Sequence, residues 1–78
     1  MTTFVFKETL VSELGLSEEE LRLFEQHEIL QAIEMSNRIY YADRNIRRAK
    51  AILHFMRVEE MSFERAREHV DNKAGFAR

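Results

Sequence analysis

Apolar residues recur at helical spacing in four stretches of the chain, and a stretch of alternating residues separates the second from the third. The first helical stretch carries Leu10 and Leu14 and stops at Gly15, since glycine readily takes the left-handed conformation that ends helices. The second begins after a tight turn, where Ser17 and Glu20 have the spacing of a capping box. Two short helices joined by a tight turn are therefore predicted.

The alternating stretch spans residues 31–41 and contains a turn at Ser36 and Asn37, which predicts a short β-hairpin. Strand alternation places one of Tyr40 and Tyr41 inward, and we expect Tyr41 to be the core residue. Residues 3–7, TFVFK, favour a further short strand at the start of the chain.

The longest predicted helix begins at Asp43, and Ser62 caps a last helix. The apolar stripe of the long helix consists of Ile46, Ala49, Ile52, Leu53 and Met56. A second, basic stripe about 120° around the same helix consists of Arg47, Lys50, His54 and Arg57. Residues 71–78 are predicted to be a frayed tail.

The composition agrees with one small helical domain over residues 1–78, ordered from about residue 5 to residue 70. There is no proline, only two glycines and no cysteine, so helices have few breakers, and disulfides and thiol chemistry are excluded. No apolar run is long enough for a membrane span, and the N-terminus does not resemble a signal peptide. We therefore expect a cytoplasmic protein without membrane contact.

Charge is divided unevenly along the chain. Residues 1–37 carry eight acids and two bases, a net charge of −6, whereas residues 38–78 carry ten bases and six acids, a net charge of +4. Residues 38–57 alone have a net charge of +5, which fits either a solvated face or a patch that contacts phosphates.

The acidic second helix also allows two interpretations. Three glutamates in its first turn suit the helix dipole and the cap, but the dipole does not account for Glu25 or Glu28. A face that docks a basic protein is the alternative, and it would use Glu18, Glu19, Arg22, Glu25 and Gln26.

No catalytic or metal-binding arrangement emerges from the sequence. His27, His54 and His69 lie on three different predicted elements, without the i+3 or i+4 pairing that metal sites on helices use. No Ser-His-Asp set, paired-carboxylate cleft or glycine-rich phosphate loop is present. We predict a protein that is not an enzyme and that needs no cofactor.

The order of elements, with LVSELGLSEEELRLFEQHEIL, NRIYYADRNIRRAKAIL and MSF, resembles the winged helix-turn-helix domain of the MerR family of regulators. The resemblance covers about residues 5–70 and implies a mainly helical fold of about four helices, with a hairpin wing between the second and third. Glu28 and Glu60 stand where the family commonly has glycine. The spacing from the wing Arg38 to Tyr41 is one residue longer than in the family.

The resemblance implies binding of duplex DNA through the second helix and the wing, with Arg22 and Arg38 at phosphates and a homodimer as a possible form. The residues predicted to contact DNA are Arg22, Arg38, Tyr40, Arg44, Arg47 and Arg48. The chaperone-modulator family, which resembles MerR domains and binds the J-domain of a DnaJ-type co-chaperone, carries a similar SEEEL stretch. It provides the alternative function, an adaptor that binds a basic partner through its acidic helix.

Overall fold

The computed structural model describes the backbone of residues 3–74 and the side chains of residues 3–72. Along this part of the chain the elements are β1 (Phe4–Phe6), α1 (Lys7–Leu14), α2 (Glu18–Gln26), β2 (Ile33–Met35), β3 (Arg38–Ala42), α3 (Asp43–Arg57) and α4 (Phe63–Ala74). Four helices with a hairpin between α2 and α3 confirm the predicted mainly helical winged helix-turn-helix fold.

The described chain divides into two compact units, one ending at Arg47 and the other starting at Arg48. The first unit holds β1, α1, α2, the hairpin and the first residues of α3, and its buried side chains are Leu10, Leu16, Phe24, Ile29, Leu30, Tyr41 and Ile46. The second unit holds the rest of α3 and α4, and its buried side chains are Ala49, Ile52, Leu53, Ala66 and Val70.

Local sequence signals set the boundary between α1 and α2. Gly15 caps α1 in the left-handed conformation, with a φ of 62°. At the start of α2 the Ser17 hydroxyl accepts from the Glu20 backbone N–H at 3.1 Å, and the Glu20 carboxylate accepts from the Ser17 backbone N–H at 3.0 Å. Both the predicted glycine stop and the predicted capping box are confirmed.

The hairpin wing is β2 and β3 joined by Ser36 and Asn37, both of which have positive φ, 52° and 65°. Two consecutive left-handed residues form the type I′ turn, whose twist matches that of the flanking strands. The strand predicted near the N-terminus is β1, which pairs antiparallel with the other edge of β3. The sheet order is therefore β1-β3-β2, with β3 in the centre.

The two faces of this sheet differ in exposure. Tyr41 and its register partner Val5 share the inner face, and Tyr41 is fully buried as predicted. We call the opposite side the outer sheet face. By register its residues are Phe4, Phe6, Ile33, Met35, Arg38, Tyr40 and Ala42. Phe4 and Met35 are 43% and 40% exposed, so this face is partly open to solvent.

In the second unit, α4 begins after Ser62, whose hydroxyl accepts from the Arg65 backbone N–H at 3.3 Å. The predicted cap at Ser62 is confirmed. The helix continues to Ala74, which corrects the prediction of a frayed tail for residues 71–74, while residues 75–78 lie outside the described residues. Within this extension the Asp71 carboxylate accepts two hydrogen bonds from Arg48 of α3.

Two glutamates end helices in the left-handed region that favours glycine. Glu28 follows α2 with a φ of 59°, and Glu60 follows α3 with a φ of 56°. After α2, the Ile29 backbone N–H donates to the Phe24 carbonyl at 2.9 Å, the six-residue closure typical of a glycine-terminated helix. These are the positions where the MerR resemblance expects glycine, so both glutamates hold a strained backbone.

Candidate nucleic-acid interface

The exposed surface of α2 carries fewer uncommitted acids than its sequence suggests. Glu20 belongs to the capping box, and the first-turn positions of Glu18 and Glu19 suit the positive end of the helix dipole. Arg22 is exposed, and so is Gln26, which lies one turn further along the helix. Phe24 is fully buried and fixes the orientation of the helix.

Glu25 has a partner within the first unit. The hydroxyl of Tyr41 on β3 donates a hydrogen bond to the Glu25 carboxylate, which ties α2 to the central strand. Burial raises the pKa of the Tyr41 hydroxyl above its usual value, and the hydrogen bond to Glu25 and the negative charges of Glu25 and Glu8 raise it further. The Tyr41 hydroxyl therefore stays protonated and remains a donor at neutral pH.

A groove of about 530 Å³ runs between α1 and α2. Its lining includes the apolar side chains of Val11 and Leu21 and charged side chains of both signs. The full lining is Lys7, Glu8, Val11, Ser12, Glu18, Leu21, Arg22 and Glu25. Of the residues predicted for a protein-binding face, Glu18, Arg22 and Glu25 line this groove, whereas Glu19 and Gln26 are exposed on α2 but not part of its lining.

The wing presents Arg38 and Tyr40 on the outer sheet face. The Arg38 side chain is exposed, and its guanidinium carbon lies 5.1 Å from the centroid of the Phe6 ring on β1. The Phe6 ring in turn packs against the Tyr40 ring at 5.6 Å, with an interplanar angle of 53°. Arg38, Phe6 and Tyr40 therefore form a cluster that we call the wing cluster.

Two further residues predicted to contact DNA lie in the first turns of α3, directly after the wing. Arg44 is exposed, and Arg47 forms an ion pair with Asp43 one turn earlier, at 3.2 Å. The two side chains of that pair are 66% and 47% exposed, so solvent screens it and its stabilising effect is a few tenths of a kcal/mol, roughly. A phosphate can displace Asp43 at little cost.

Arg48 occupies a different environment from its neighbour Arg47. Its guanidinium donates two hydrogen bonds to the Asp71 carboxylate, at 2.9 and 2.7 Å, and both side chains are largely buried. This two-point geometry is the strong form of an arginine–carboxylate contact. Arg48 therefore connects α3 to α4 within the second unit, and its donors are committed to Asp71.

Two of the three histidines, His54 and His69, pack against the same aromatic ring. Phe55 lies between the rings of His54 and His69, with centroid distances of 5.2 and 4.4 Å. Within residues 3–74, no group of three or more histidine, cysteine, aspartate or glutamate side chains could hold a metal ion. In the same range, no helix has the length and apolar character needed to cross a membrane.

Sequence reasoning missed two contacts that shape this surface. The sequence indicates Phe6 only as part of a strand, and its contact with Arg38 depends on the pairing of β1 with β3. Glu25 is a candidate for docking in the sequence, but its partner Tyr41 lies 16 residues away in the chain. The alternation of Phe4 and Phe6 is the available signal for an aromatic strand face, although it does not indicate the strand partner.

Two short helices joined by a tight turn, followed by a hairpin wing and a long helix, define a winged helix-turn-helix domain. Residues 8–73 match the family described as MerR HTH family regulatory protein. Because the match covers most of the chain, the protein belongs to the MerR family of DNA-binding regulators. A search of curated proteins found no match, and a search of solved structures found none either.

Proposed function

We propose that the chain is the DNA-binding module of a MerR-type transcriptional regulator that binds duplex DNA through the wing and α2. The observation that carries the proposal is an exposed set of arginines on and directly after the wing, within a chain of this family. Arg38, Arg44 and Arg47 form this set. Arginines placed like this neutralise backbone phosphates and release counterions, which is the main source of non-specific affinity for DNA.

The acidic sequence of α2 is compatible with this function because part of its charge is used inside the fold. Glu20 closes the capping box, and Glu25 accepts from Tyr41. Arg22 is the basic side chain exposed in the middle of the helix, and we assign it to a phosphate. The arginines on and directly after the wing supply most of the affinity, and α2 contributes position more than attraction.

Tyr40 has a supporting role in the same surface. Its ring is half-buried against Phe6, while its position on the outer sheet face keeps it beside Arg38. A phenol hydroxyl at such a place donates to a phosphate oxygen without a charge of its own. We expect its removal to weaken binding less than removal of Arg38.

A single copy makes few phosphate contacts, so useful affinity requires a second copy or a neighbouring domain. Dimerisation is typical of MerR-type regulators, and a dimer places two α2 helices at half-sites separated by a turn of DNA or a multiple of it. We therefore expect binding to a palindromic operator to be steeper in protein concentration than binding to mixed-sequence duplex.

The test is a titration of labelled mixed-sequence duplex, read by fluorescence anisotropy, with wild type and the Arg38→Ala, Arg47→Ala double variant. We expect the double variant to bind more weakly and its salt slope to be smaller by about 2, because each arginine neutralises one phosphate. Arg65→Ala is the control, because Arg65 is an exposed arginine of α4 outside the proposed surface. Equal affinities for wild type and the double variant would contradict the proposal.

A second candidate function is an adaptor that binds a basic helix of another protein, such as a J-domain, and the groove between α1 and α2 is the observation that favours it. Its lining includes the apolar Val11 and Leu21, and Glu8 and Glu18 contribute acidic groups to it. The test is calorimetry with a purified J-domain and the Glu18→Lys, Glu19→Lys variant, which keeps Glu25 bonded to Tyr41. Loss of J-domain binding with unchanged DNA affinity would favour the adaptor.

A further inference from the structure

We propose that Phe6 is a positioning residue for DNA binding, and that it acts by holding the Arg38 guanidinium ready for a phosphate. This inference rests on the DNA-binding function proposed above. Phe6 lies on β1, outside the wing hairpin, and its cross-strand partner on β3 is Tyr40. Arg38 lies two residues before Tyr40 on the same face of the sheet, which brings its guanidinium to the Phe6 ring.

The arginines on α3 show why this contact suits binding. For Arg48 the Asp71 carboxylate occupies the donors that a phosphate would need, and for Arg47 a phosphate must first displace the solvent-screened Asp43 carboxylate. Arg38 instead contacts an aromatic ring, which attracts the positive charge through its π face and accepts no conventional hydrogen bond. Its N–H groups therefore remain available for a phosphate.

Holding the side chain also lowers the entropic cost of binding. An exposed arginine has many rotamers and loses most of them when its guanidinium contacts a phosphate. The Phe6 ring restricts Arg38 before DNA arrives, and Tyr40 packs against the Phe6 ring and restricts it in turn. Both effects predict that the aromatic ring at position 6, rather than its bulk, determines the benefit.

A double-mutant cycle tests this role directly. Dissociation constants for mixed-sequence duplex are measured by anisotropy at low salt for wild type, Phe6→Leu, Arg38→Ala and the combined variant. We expect Phe6→Leu to weaken binding about two- to fivefold, the range for one exposed cation–π contact. In the Arg38→Ala background the same change should have no further effect, since the side chain through which Phe6 acts is absent.

Two more variants separate positioning from a structural role. Phe6→Tyr keeps an aromatic face and should retain wild-type affinity. If Phe6 only covered apolar surface, there would be no reason for tyrosine to bind better than leucine at this position. Phe4→Leu removes a ring from the same strand and the same face, at the register position of Ala42 rather than beside Arg38, and should leave affinity unchanged. Thermal melting of each variant checks that it is folded at the temperature of the titration.

The outcomes distinguish this inference from the function on which it rests. If Phe6→Leu weakens binding equally with and without Arg38, or if Phe6→Tyr binds as weakly as Phe6→Leu, the positioning role is wrong while DNA binding stands. An unchanged affinity for Phe6→Leu also overturns it. If wild type itself does not bind duplex at low salt, the proposed function fails, and the inference fails with it.

Discussion

The second helix and the wing place their charged side chains in different environments. In α2, Glu20 and Glu25 bond to groups of the protein itself, one at the helix cap and one at the buried Tyr41 hydroxyl. In the wing, Arg38 is exposed and is held by an aromatic ring. The net charge of a helix or strand therefore does not indicate what kind of molecule it binds. The charges that stabilise the fold must first be excluded from the count.

The same distinction separates two neighbouring residues of α3. Arg47 has a screened partner one helical turn away, whereas Arg48 is fixed by two short hydrogen bonds to Asp71. The first residue is available to an outside phosphate, and the second is committed to the packing of the second unit. Identical residue types in adjacent positions thus lie in different environments.

Among substitutions of single charged residues, we expect Arg48→Ala to cause the largest loss of stability. Arg48→Ala leaves the largely buried Asp71 carboxylate without its two donors, so we expect the free energy of unfolding to fall by roughly 1.5–3 kcal/mol. Urea denaturation followed by circular dichroism measures it. Arg47→Ala is the matched control and should change stability by less than about 0.5 kcal/mol. Equal losses of stability at the two positions would remove the distinction between them.

Glu25 provides the corresponding comparison in α2. Glu25→Ala leaves the buried Tyr41 hydroxyl without its acceptor, which costs about 1–3 kcal/mol of stability. Glu19→Ala, a change at an exposed residue of the same helix, should cost less than about 1 kcal/mol through the helix dipole alone. Thermal or urea unfolding of both variants checks this. A larger loss of stability at Glu19 would mean that the acids of α2 act chiefly at its surface.

The contact between Tyr41 and Glu25 also makes the stability of the fold depend on pH. Its folded pKa is raised above its unfolded value, so the folded state favours the neutral hydroxyl. The stability this contributes is complete below about pH 10, the usual tyrosine pKa, and is lost as pH rises above it, by at most about 1.4 kcal/mol per pH unit. Urea unfolding from pH 8 upward, compared with Tyr41→Phe, isolates this part, because phenylalanine has no hydroxyl to ionise.

The smallest expected effect concerns Glu28, an acid at the end of α2 with a left-handed backbone. The left-handed conformation costs about 1–2 kcal/mol for a non-glycine residue, whereas glycine avoids this strain but loses more backbone entropy on folding. Glu28→Gly should therefore stabilise the protein by about 0.5–1 kcal/mol. Glu28→Ala, which keeps the strain, should give no such gain. A stabilisation by alanine as large as by glycine would point to charge rather than backbone strain.

The sequence predicts those parts of the fold that depend on neighbours in the chain. Gly15, the Ser17 and Glu20 box, and the Ser36 and Asn37 turn are signals within a few residues, and each is confirmed. Strand alternation places one of Tyr40 and Tyr41 inward, and the expectation that Tyr41 is the buried one is confirmed.

What the sequence does not show depends on pairs that are distant in the chain. Arg48 and Asp71 are 23 residues apart, and Glu25 and Tyr41 are 16 apart, so no local pattern marks either contact. The polar residues directly after Val70 suggest a frayed tail, whereas α4 continues to Ala74 and its Asp71 side chain pairs with Arg48. The pairing of β1 with β3 brings the Phe6 ring to Arg38. This pairing also depends on the strand order of the sheet, which no local sequence pattern shows.

The central claim is that the exposed arginines on and directly after the wing outweigh the acids of α2 in their effect on DNA. The most direct test is the affinity of the wild-type protein for mixed-sequence duplex, measured by anisotropy over a series of salt concentrations. We predict binding at low salt that weakens steeply as salt is added, with a slope set by about three or four phosphate contacts. No binding at any salt concentration would mean that the exposed glutamates dominate, and would contradict this claim.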